Sequence, residues 1–456
     1  MAKKKIEIDM TSGPLLIKII TFALPLMLTS ILQLLYNAAD IVVVGKFAGD
    51  ASLAAVGATS ALTGLIVNLF MGMATGTGVI IAQAIGANNN ERLHKTVHTA
   101  MLLSIILGFI VGGIGFTVSK HLLLLMSTPE DVLPKATVYV QIYFLGLPGL
   151  MVYNFGAAIL RSAGDTKRPL LILTLSGIAN VILNLILVIS FKMDVAGVAT
   201  ATIISQYISA VWVVVFLIRD NAPYRLYLSK LRIYGKNLLQ ILRFGVPMGI
   251  QSSFFALSNV LIQSSVNTFD SIVIAGNTAA ANIEGFIFVA NDSSAQAAMT
   301  FAGQNYGAKK YKRIKKIMLE CSLLCLIIGT LMGAVVFLLK EPLLSFYTDS
   351  AAVIEAGVIR INIICMFYSL CGIMGVIGNT VRGMGKSLIP MLITMIFVCV
   401  MRVVWLYTAF AAVRTIETIY WSYPISWGLA IIAQLIYFIA VYKRKIKSDT
   451  AEETNK

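Results

Sequence analysis

The chain of 456 residues has little charge: Asp, Glu, Lys and Arg make up 12% of it, and 58% is hydrophobic. Soluble domains carry about 25% charged residues, so this composition excludes a soluble globular protein and indicates a membrane protein with many spans. Histidine is scarce as well, with three residues, and no nucleophile, base and metal ligands cluster in the sequence. A membrane-embedded enzyme is therefore disfavoured. The Walker spacing of glycines and lysine is also missing, which argues against ATP as the energy source.

The few residues that could bind metals are poorly placed for it. All five cysteines fall in apolar runs, where we interpret them as small packing residues rather than disulfides or metal ligands. His94 and His98 are four residues apart near a predicted helix start, without a third ligand nearby. We expect a solvated helix start there and no bound cofactor.

Long apolar runs fill most of the chain. Twelve of them are long enough to cross a bilayer as helices, since about 20 apolar residues span its hydrocarbon core. The predicted fold is an all-α membrane protein of twelve transmembrane helices. The predicted spans are residues 18–45, 52–84, 96–118, 133–160, 170–191, 195–218, 237–268, 278–306, 315–339, 352–381, 387–410 and 418–442.

Acidic residues are the scarcer charge, with 21 Asp and Glu against 36 Lys and Arg, and the formal net charge is +15. Most of the basic residues lie in the two tails and in alternate loops between the predicted spans. The positive-inside rule then places both termini in the cytoplasm. This placement favours anionic membrane lipids as partners and argues against nucleic acid.

The sequence repeats three landmarks in the same order and at a nearly constant spacing. FALP recurs as FGVP, QAIGA as QNYGA, and an Arg–Gly–Pro spacing recurs in two loops: Phe22–Pro25 with Phe244–Pro247, Gln83–Ala87 with Gln304–Ala308, and Arg161, Gly164, Pro169 with Arg382, Gly385, Pro390. Each half holds six predicted spans. Because six is even, both halves enter the membrane in the same orientation, which predicts a parallel repeat.

The repeat predicts a division of the chain. We expect a cytoplasmic N-tail over residues 1–17, an N-lobe over 18–218, a cytoplasmic linker over 219–236, a C-lobe over 237–442 and a cytoplasmic C-tail over 443–456. Gly86 and Gly307 follow the second span of each half, and we interpret both as helix stops.

A polar stripe marks the first span. Gln33, Tyr36, Asn37 and Asp40 are spaced i, i+3, i+4, i+7, so they share one helix face. A carboxylate facing lipid is costly, which predicts that this face points into protein or water. The alternative is that Asp40 lies near enough to the helix end to reach headgroups, or pins a neighbouring helix.

Other polar residues of the first half fall on spans four to six. Asn154 lies on span four, Asn180 and Asn184 are spaced i, i+4 on span five, and Thr202 and Gln206 are spaced i, i+4 on span six. Each alone is typical of a hydrogen bond between helices. Together with the acid of span one, they predict a polar pocket inside the first six-helix lobe.

The second half has no acid at the position that matches Asp40. Its intramembrane acids are Glu284 and Asp292 on span eight, and Arg402 on span eleven is the obvious buried cation. Two interpretations stay open. Either Arg402 pairs with Asp292 or Glu284 as a structural contact, or these residues face a substrate cavity.

Taken together, these features resemble the multidrug and toxic compound extrusion (MATE) family. The resemblance depends on the first-span pattern ending in Asp40, on QAIGA and QNYGA, on LRSAGDTKRP at Leu160–Pro169, and on twelve spans in two repeats. It implies a V-shaped pair of six-helix lobes that exports organic cations in exchange for Na⁺ or H⁺. The chain is most similar to the DinF-like subgroup, because residues 254–256 of span seven are apolar where NorM-like relatives carry a glutamate.

The resemblance also implies site residues. DinF-like relatives form a cation or proton site from an acid on span one, Asn and Asp on span five, and Thr on span six. These positions correspond to Asp40, Asn180, Asn184 and Thr202, with Asn184 standing where some relatives have a second acid.

We therefore expect a monomeric antiporter of the bacterial cytoplasmic membrane, in which neutralising Asp40 by H⁺ or Na⁺ drives the transport of organic cations. The expected substrate cavity includes Gln33, Tyr36, Asn37, Asn154, Gln206, Glu284, Asp292 and Arg402. A lipid or lipid-linked oligosaccharide flippase is the main alternative, but it would need several cavity cations for a pyrophosphate, and only Arg360 and Arg402 lie within spans. A channel is a further alternative that suits the repeat less well.

Overall fold

The computed structural model describes residues 8–126 and 128–454, and its regular structure is helical, without a β-strand in those two ranges. Among them, twelve helices are long and apolar enough to cross a membrane, which confirms the predicted fold class. The basic N-tail positions 3–5 and the end of the predicted C-tail at 455–456 lie outside the described residues. The twelve helices, α1 to α12, are Leu15–Phe47, Ala51–Gly86, Asn90–Leu125, Leu133–Ser162, Lys167–Ser190, Asp194–Arg219, Gly235–Val266, Ser271–Gly307, Tyr311–Leu338, Ala351–Gly383, Leu388–Ala412 and Ile416–Lys447.

Several helices contain or adjoin irregular turns. α5 ends in a π-helical segment over Leu185–Ser190, and α11 contains one over Met395–Val400. α10 is interrupted by a 3₁₀ turn at Cys365–Phe367. A short helix, Lys340–Ser345, connects α9 to α10, and a 3₁₀ turn lies at Leu228–Lys230.

Several helices begin before the apolar runs that predicted them, because polar residues cap them. The Asn89 side chain accepts a hydrogen bond of 2.9 Å from the Arg92 N–H, and α3 begins at Asn90. In the same way, Asp270 accepts a bond of 2.9 Å from the Val273 N–H at the start of α8. Such caps satisfy N–H groups that the first helical turn leaves unpaired. A hydropathy pattern takes no account of these capping residues, so it places the helix starts too late.

The predicted helix stops are found where the repeat places them. α2 ends at Gly86 and α8 ends at Gly307. The residue that turns the chain is in each case two positions later, since Asn88 has φ 50° and Lys309 has φ 58°. The left-handed conformation therefore recurs at equivalent points of both halves, although neither residue there is a glycine.

The second repeated turn does use glycine. Gly164 follows α4 with φ 90°, and Gly385 follows α10 with φ 85°. A side chain would be strained in this conformation. At Gly164 a Cβ would also come 3.0 Å from the carbonyl oxygen of Ile8.

The chain divides into two compact units. Unit 1 holds Leu28–Gly249 with the described residues up to Asp9, and unit 2 holds Met10–Met27 with the described residues from Ile250 onward. Both units are thus built from two separate pieces of chain. The lobes predicted from the repeat, 18–218 and 237–442, divide the chain differently and stay a prediction.

Two helices belong to both units. α1 passes from unit 2 to unit 1 after Met27, and α7 passes from unit 1 to unit 2 after Gly249. Each transition lies just after an internal proline, Pro25 in α1 and Pro247 in α7. Proline lacks the N–H that would continue the helical ladder, so it is the natural point for a helix to change its direction.

In unit 1, side chains of α2, α4 and α6, among them Ile80, Phe155 and Val213, form a buried apolar core. Small residues let α7 approach α2 closely. A Cβ at Gly72 would lie 2.2 Å from the Gly249 nitrogen, and one at Gly76 would lie 2.5 Å from the Gly245 Cα. This is the small-xxx-small contact by which membrane helices pack without hydrophobic driving force.

The segment between α6 and α7 is docked on unit 1 rather than loose. His98 of α3 is fully buried, and its Nε2 accepts a bond of 3.0 Å from the Tyr227 N–H, while its Nδ1 lies 2.8 Å from the His94 carbonyl. The expectation of a solvated pair of histidines is therefore wrong for His98. Asn237 adds a bond of 2.8 Å to Thr96.

An ionic cluster also holds this segment. The Arg168 guanidinium contacts Asp165 at 3.1 Å and Asp220 at 2.5 Å. The Tyr224 hydroxyl donates a bond of 2.9 Å to Asp220. Burial raises the pKa of Tyr224 well above its usual value, so the phenol stays protonated and remains a donor.

Unit 2 has its own core, which includes Ile283, Ile361 and Tyr420. The N-terminal piece packs into it. Phe22 meets Phe301 edge-on with ring centroids 5.6 Å apart, and Asn305 donates a bond of 3.0 Å to the Met10 carbonyl. On the outside, α9 exposes leucines such as Leu319, Leu323 and Leu331, as expected of a face in contact with lipid.

Candidate functional site

The polar residues predicted on α1 and α5 meet inside unit 1. The Asn184 amide donates a bond of 2.5 Å to the Asp40 carboxylate and lies 3.4 Å from the Asn180 amide oxygen. Both asparagines are buried, and Asp40 is partly buried. The π-helical segment of α5 begins directly after Asn184. Such wide turns are frequent at functional sites, because they alter the direction of neighbouring side chains.

This site presents a carboxylate and a free amide oxygen, so it can bind a cation or a proton. Within the described ranges, no Lys or Arg forms an ion pair with Asp40, and the amide oxygen of Asn184 has no donor. A partly buried carboxylate without a counter-ion is unfavourable unless a cation or proton neutralises it. Carboxylate and amide oxygens are the ligands that hard cations prefer. The Asp40 and Asn184 oxygens thus fit a small cation or a proton.

A multidentate metal site has less support. The described parts of the chain hold no group of three or more His, Cys, Asp or Glu side chains that could bind a metal ion. A single acid with neutral amides suits a weakly held monovalent ion.

An apolar layer closes the site on one side. It lies about one helical turn from Asp40, Asn184 and Thr202, and Tyr139 of α4 packs against it. Tyr139 is also near enough to Asp40 to interact with its charge. The buried members of the layer are Val43, Val44, Val188 and Val198.

An ionic cluster that the sequence did not indicate lies at the adjoining helix ends. Lys135 of α4 lies 2.6 Å from Asp194 of α6 and donates a bond of 2.8 Å to Ser52 of α2. The Ser52 hydroxyl contacts Asp194 as well. Asp194 has φ 55°, so a tight turn places its side chain. Residues so far apart in sequence carry no common motif, and only the fold brings them together.

Thr202 lies on α6 but is engaged elsewhere. Its hydroxyl donates a bond of 2.9 Å to the Val198 carbonyl one turn earlier in the same helix. The hydroxyl oxygen still has a lone pair, so it can take part in binding a cation only by turning from this bond or by accepting alongside it.

Two of the predicted cavity residues already have their polar groups engaged, Tyr36 with another helix and Asn154 within its own. The Tyr36 hydroxyl lies 3.3 Å from the Thr174 carbonyl, and its ring occupies the space that a Cβ at Gly177 would take. Asn154 donates a bond of 2.9 Å to the Leu150 carbonyl. It also contributes the polar group of a small apolar pocket between α2 and α4, beside Met71.

The remaining first-half residues keep unoccupied polar atoms. Gln33 and Asn37 are exposed. Gln206 is half-buried next to Gly146, and its amide oxygen has no hydrogen-bond donor among the described residues.

In unit 2, Glu284 pairs with Arg360 rather than with Arg402. The Arg360 Nε and Nη2 atoms donate to both carboxylate oxygens at 3.0 and 2.8 Å. Its Nη1 donates to Asn277 at 2.7 Å, and the Tyr420 hydroxyl donates to the same amide oxygen at 3.1 Å. The possible pairing of Glu284 with Arg402 is therefore corrected: the acid is fully engaged in a buried bidentate pair.

The close approach of two helices explains this pairing. A Cβ at Gly276 of α8 would lie 2.7 Å from the Gly357 nitrogen of α10. Arg360 lies one turn beyond Gly357, and Glu284 lies about two turns beyond Gly276, so the charged groups face each other across a narrow contact.

The other two predicted residues of unit 2 do not pair with each other. Asp292 accepts a bond of 2.7 Å from Gln296, one turn later on α8. Arg402 donates a bond of 3.0 Å from its Nε to the Ser426 hydroxyl, and it has no carboxylate partner in the described structure.

A family model described as MatE matches the chain twice, over residues 25–186 and 247–408. The two matched segments have the same length, and they coincide with the repeat seen in the sequence and in the backbone turns. The matched residues make up more than half of the chain.

Curated relatives and solved structures match over most of the chain. A protein named probable multidrug resistance protein YoeA, from Bacillus subtilis, is 27% identical over 93% of this chain and 93% of its own length. Another from that organism, named probable multidrug resistance protein YpnP, is 26% identical over 86% of this chain and 88% of its own. A structure described as the outward-facing conformation of a multidrug resistance MATE family transporter of the MOP superfamily has a TM-score of 0.91 at 22% identity, over 97% of this chain and all of that one.

Proposed function

Because the chain belongs to the MatE family, we propose that it is a secondary active antiporter that exports organic cations and drugs in exchange for H⁺ or Na⁺. The names of its relatives, which concern multidrug resistance, support this substrate class. The pairing of Asp40 with the span-five asparagines supports placing the chain in the DinF-like subgroup.

The observation that carries the proposal is the hydrogen bond between Asp40 and Asn184, while no Lys or Arg of the described residues pairs with Asp40. Loading a proton or Na⁺ onto Asp40 neutralises the only acid of this contact. The carboxylate then accepts less strongly from Asn184, and the packing of α1 against α5 changes. An ion that binds one arrangement better than the other shifts the balance between them. Alternating access of the predicted lobes follows from this shift.

We place the substrate path along the predicted polar side chains of unit 1, with apolar walls such as the pocket beside Asn154. Soft and aromatic groups accommodate flat cations of varied shape. Glu284 contributes structure rather than substrate attraction, because Arg360 engages both of its oxygens. The proposed contacts in unit 1 are Gln33, Tyr36, Asn37, Asn154 and Gln206. In unit 2, Asp292 stays a separate prediction.

The flippase alternative has less support than the antiporter. A pyrophosphate group requires several available cations. Of the two arginines predicted within spans, Arg360 is already paired with Glu284. Arg402 alone would not neutralise such a group.

The test is transport in inverted vesicles with an organic cation such as ethidium, driven separately by a pH gradient and by a Na⁺ gradient. One of the two gradients should drive uptake by the wild type. Asp40→Asn should abolish it, because the amide cannot release a cation. Asp131→Asn, at an exposed acid before α4, is the matched control and should transport normally. Gradient-driven uptake by Asp40→Asn equal to that of the control would remove Asp40 from the mechanism.

We also propose that the protein lies in the bacterial cytoplasmic membrane with both termini and residues 219–236 in the cytoplasm. The five native cysteines are buried, so they give little background in labelling. In intact cells, an impermeant maleimide should label Thr415→Cys, in the exposed turn before α12, and should spare Ser229→Cys in the linker. The reverse pattern would invert the topology without affecting the coupling proposal.

A further inference from the structure

Arg402 is a fully buried cation to which no acid among the described residues is bonded. Its side chain is 1% exposed, and the guanidinium stays charged at any physiological pH. Its Nε has an acceptor in Ser426, but Nη1 and Nη2 are both buried without an acceptor in the described structure. The Nη atoms carry four N–H donors, so most of the donors of this charge are unsatisfied.

Aromatic rings surround the guanidinium but leave these donors unpaired. Its central carbon lies 4.1 Å from the ring centre of Tyr423 and 5.9 Å from those of Trp427 and Phe255. Ring faces attract the positive charge. The N–H groups, however, point outward in the guanidinium plane, where a ring stacked on that plane does not accept them.

The contrast with Arg360 shows that unit 2 does supply acceptors for a buried arginine. All three Arg360 nitrogens donate to side chains, two to Glu284 and one to Asn277. Tyr423 lies against both guanidinium groups, at 5.5 Å from Arg360 and 4.1 Å from Arg402. Both guanidinium groups thus contact the same Tyr423 ring, and among the described residues an acid pairs with Arg360 but not with Arg402.

A second unpaired donor lies in the same cluster. Trp427 is 2% exposed, and its indole Nε1 is also buried without an acceptor among the described residues. Cys371 and Cys399 are close enough to the guanidinium to interact with it, and Ser258 places a buried hydroxyl beside Cys399. The neighbourhood of Arg402 is therefore rich in N–H and O–H donors, and no carboxylate of the described residues bonds to its guanidinium.

We propose that Arg402 and Trp427 form a binding site for a small monovalent anion, of the size of chloride, within unit 2. The anion accepts from the Nη groups and from the indole N–H, and it neutralises a charge to which no acid of the described residues is bonded. The near-complete burial of both residues favours a compact halide over a large organic anion. This site is independent of Asp40 and of the transport proposal.

The test is the thermal unfolding of the purified full-length protein at constant ionic strength, with gluconate replaced stepwise by chloride or bromide. The melting temperature of the wild type should rise with halide concentration and saturate, because an anion that binds only the folded state stabilises it by mass action. Arg402→Met should abolish the saturable rise. Arg414→Gln, at an exposed arginine, is the control and should behave like the wild type.

A second variant keeps the test decisive if Arg402→Met does not fold. Trp427→Phe retains an aromatic ring and removes only the N–H, so it should weaken halide binding by about threefold to tenfold, the effect of one hydrogen bond. Iodide should quench part of the tryptophan fluorescence of the wild type that is missing in Trp427→Phe. Equal melting temperatures of the wild type in chloride, bromide and gluconate would overturn the proposal, leaving water as the partner of Arg402.

Discussion

Unit 1 holds a partly buried acid, Asp40, with amides for neighbours, whereas unit 2 buries three arginines, Arg360, Arg382 and Arg402, of which only Arg360 forms an ion pair among the described residues. The backbone turns of the two halves agree closely, as the left-handed residues after α2 and α8 demonstrate. The comparison teaches that the repeat preserves where helices stop and turn, while the charges inside each unit have diverged. Repeated architecture here does not imply a repeated site.

The difference also separates two kinds of buried charge. The Glu284–Arg360 pair is closed, because every charged atom of it has a partner. Asp40 and Arg402 are open, because each keeps atoms without a partner of opposite charge. A closed pair is expected to support the fold, and an open charge is expected to exchange ligands.

The largest expected effect comes from opening the closed pair. Arg360→Met leaves Glu284 buried without a cation and should destabilise the protein by about 3–5 kcal/mol. The measurement is thermal unfolding of the purified protein. Adding Glu284→Gln to this variant should recover part of the loss, because no charge is then left unpaired. A loss of similar size in both variants would mean that packing rather than charge decides the stability.

A smaller loss of stability is expected when a second negative charge is placed beside Asp40. Asn184→Asp replaces the amide donor with a second carboxylate beside Asp40, and the lost charged hydrogen bond should destabilise the protein by about 1.5–3 kcal/mol at neutral pH without Na⁺. Na⁺ or mild acid should restore stability, since either neutralises the added charge. Unfolding in choline chloride and in NaCl measures this. Insensitivity to both would place Asp40 and Asn184 outside the ion site.

Removing one hydrogen bond beside the Glu284–Arg360 pair should lower stability only modestly. Tyr420→Phe removes one donor to Asn277, which keeps its bond from Arg360, so the expected destabilisation is about 0.5–1.5 kcal/mol. Thermal unfolding again provides the measurement, with Tyr407→Phe, at an exposed tyrosine, as the control. A loss as large as that of Arg360→Met would show that the tyrosine, and not the carboxylate, is the critical partner.

The smallest change in stability is expected where the effect on transport is greatest. Asp40→Asn keeps an oxygen that accepts from Asn184 and removes an unpaired charge, so the two effects offset and stability should change by only about 0.5 kcal/mol. Thermal unfolding of this variant beside the wild type tests it. A severe loss would identify Asp40 as a structural charge and would contradict the distinction between open and closed sites.

Sequence patterns predicted what depends on periodicity. The twelve helices follow from apolar length, and the meeting of Asp40 with Asn180 and Asn184 was anticipated from stripes on two spans and from the family resemblance. The partner of Glu284 was not predictable, because it depends on how closely α8 and α10 approach at Gly276 and Gly357. A spacing within one helix is visible in a sequence, whereas a distance between two helices is not.

Two further residues illustrate the same limit. Thr202 was placed in the cation site by resemblance, yet its hydroxyl is bonded within its own helix. His98 has the sequence surroundings of a solvated helix start, yet the segment before α7 covers it. Both outcomes depend on local competition for hydrogen bonds, which residue type alone does not decide.

The division of α1 between the two units has a consequence for biosynthesis. Residues 10–27 are synthesised before the rest of unit 2, and their partners there, such as Phe301 and Asn305, lie on α8 and are made after α1 to α7. Unit 1 obtains its last piece, the start of α7, directly after its other helices, so it can close early. Domains generally fold in the order of their synthesis. The N-terminal part of α1 is therefore made well before its native neighbours in unit 2, and its apolar surface stays without them until α8 follows.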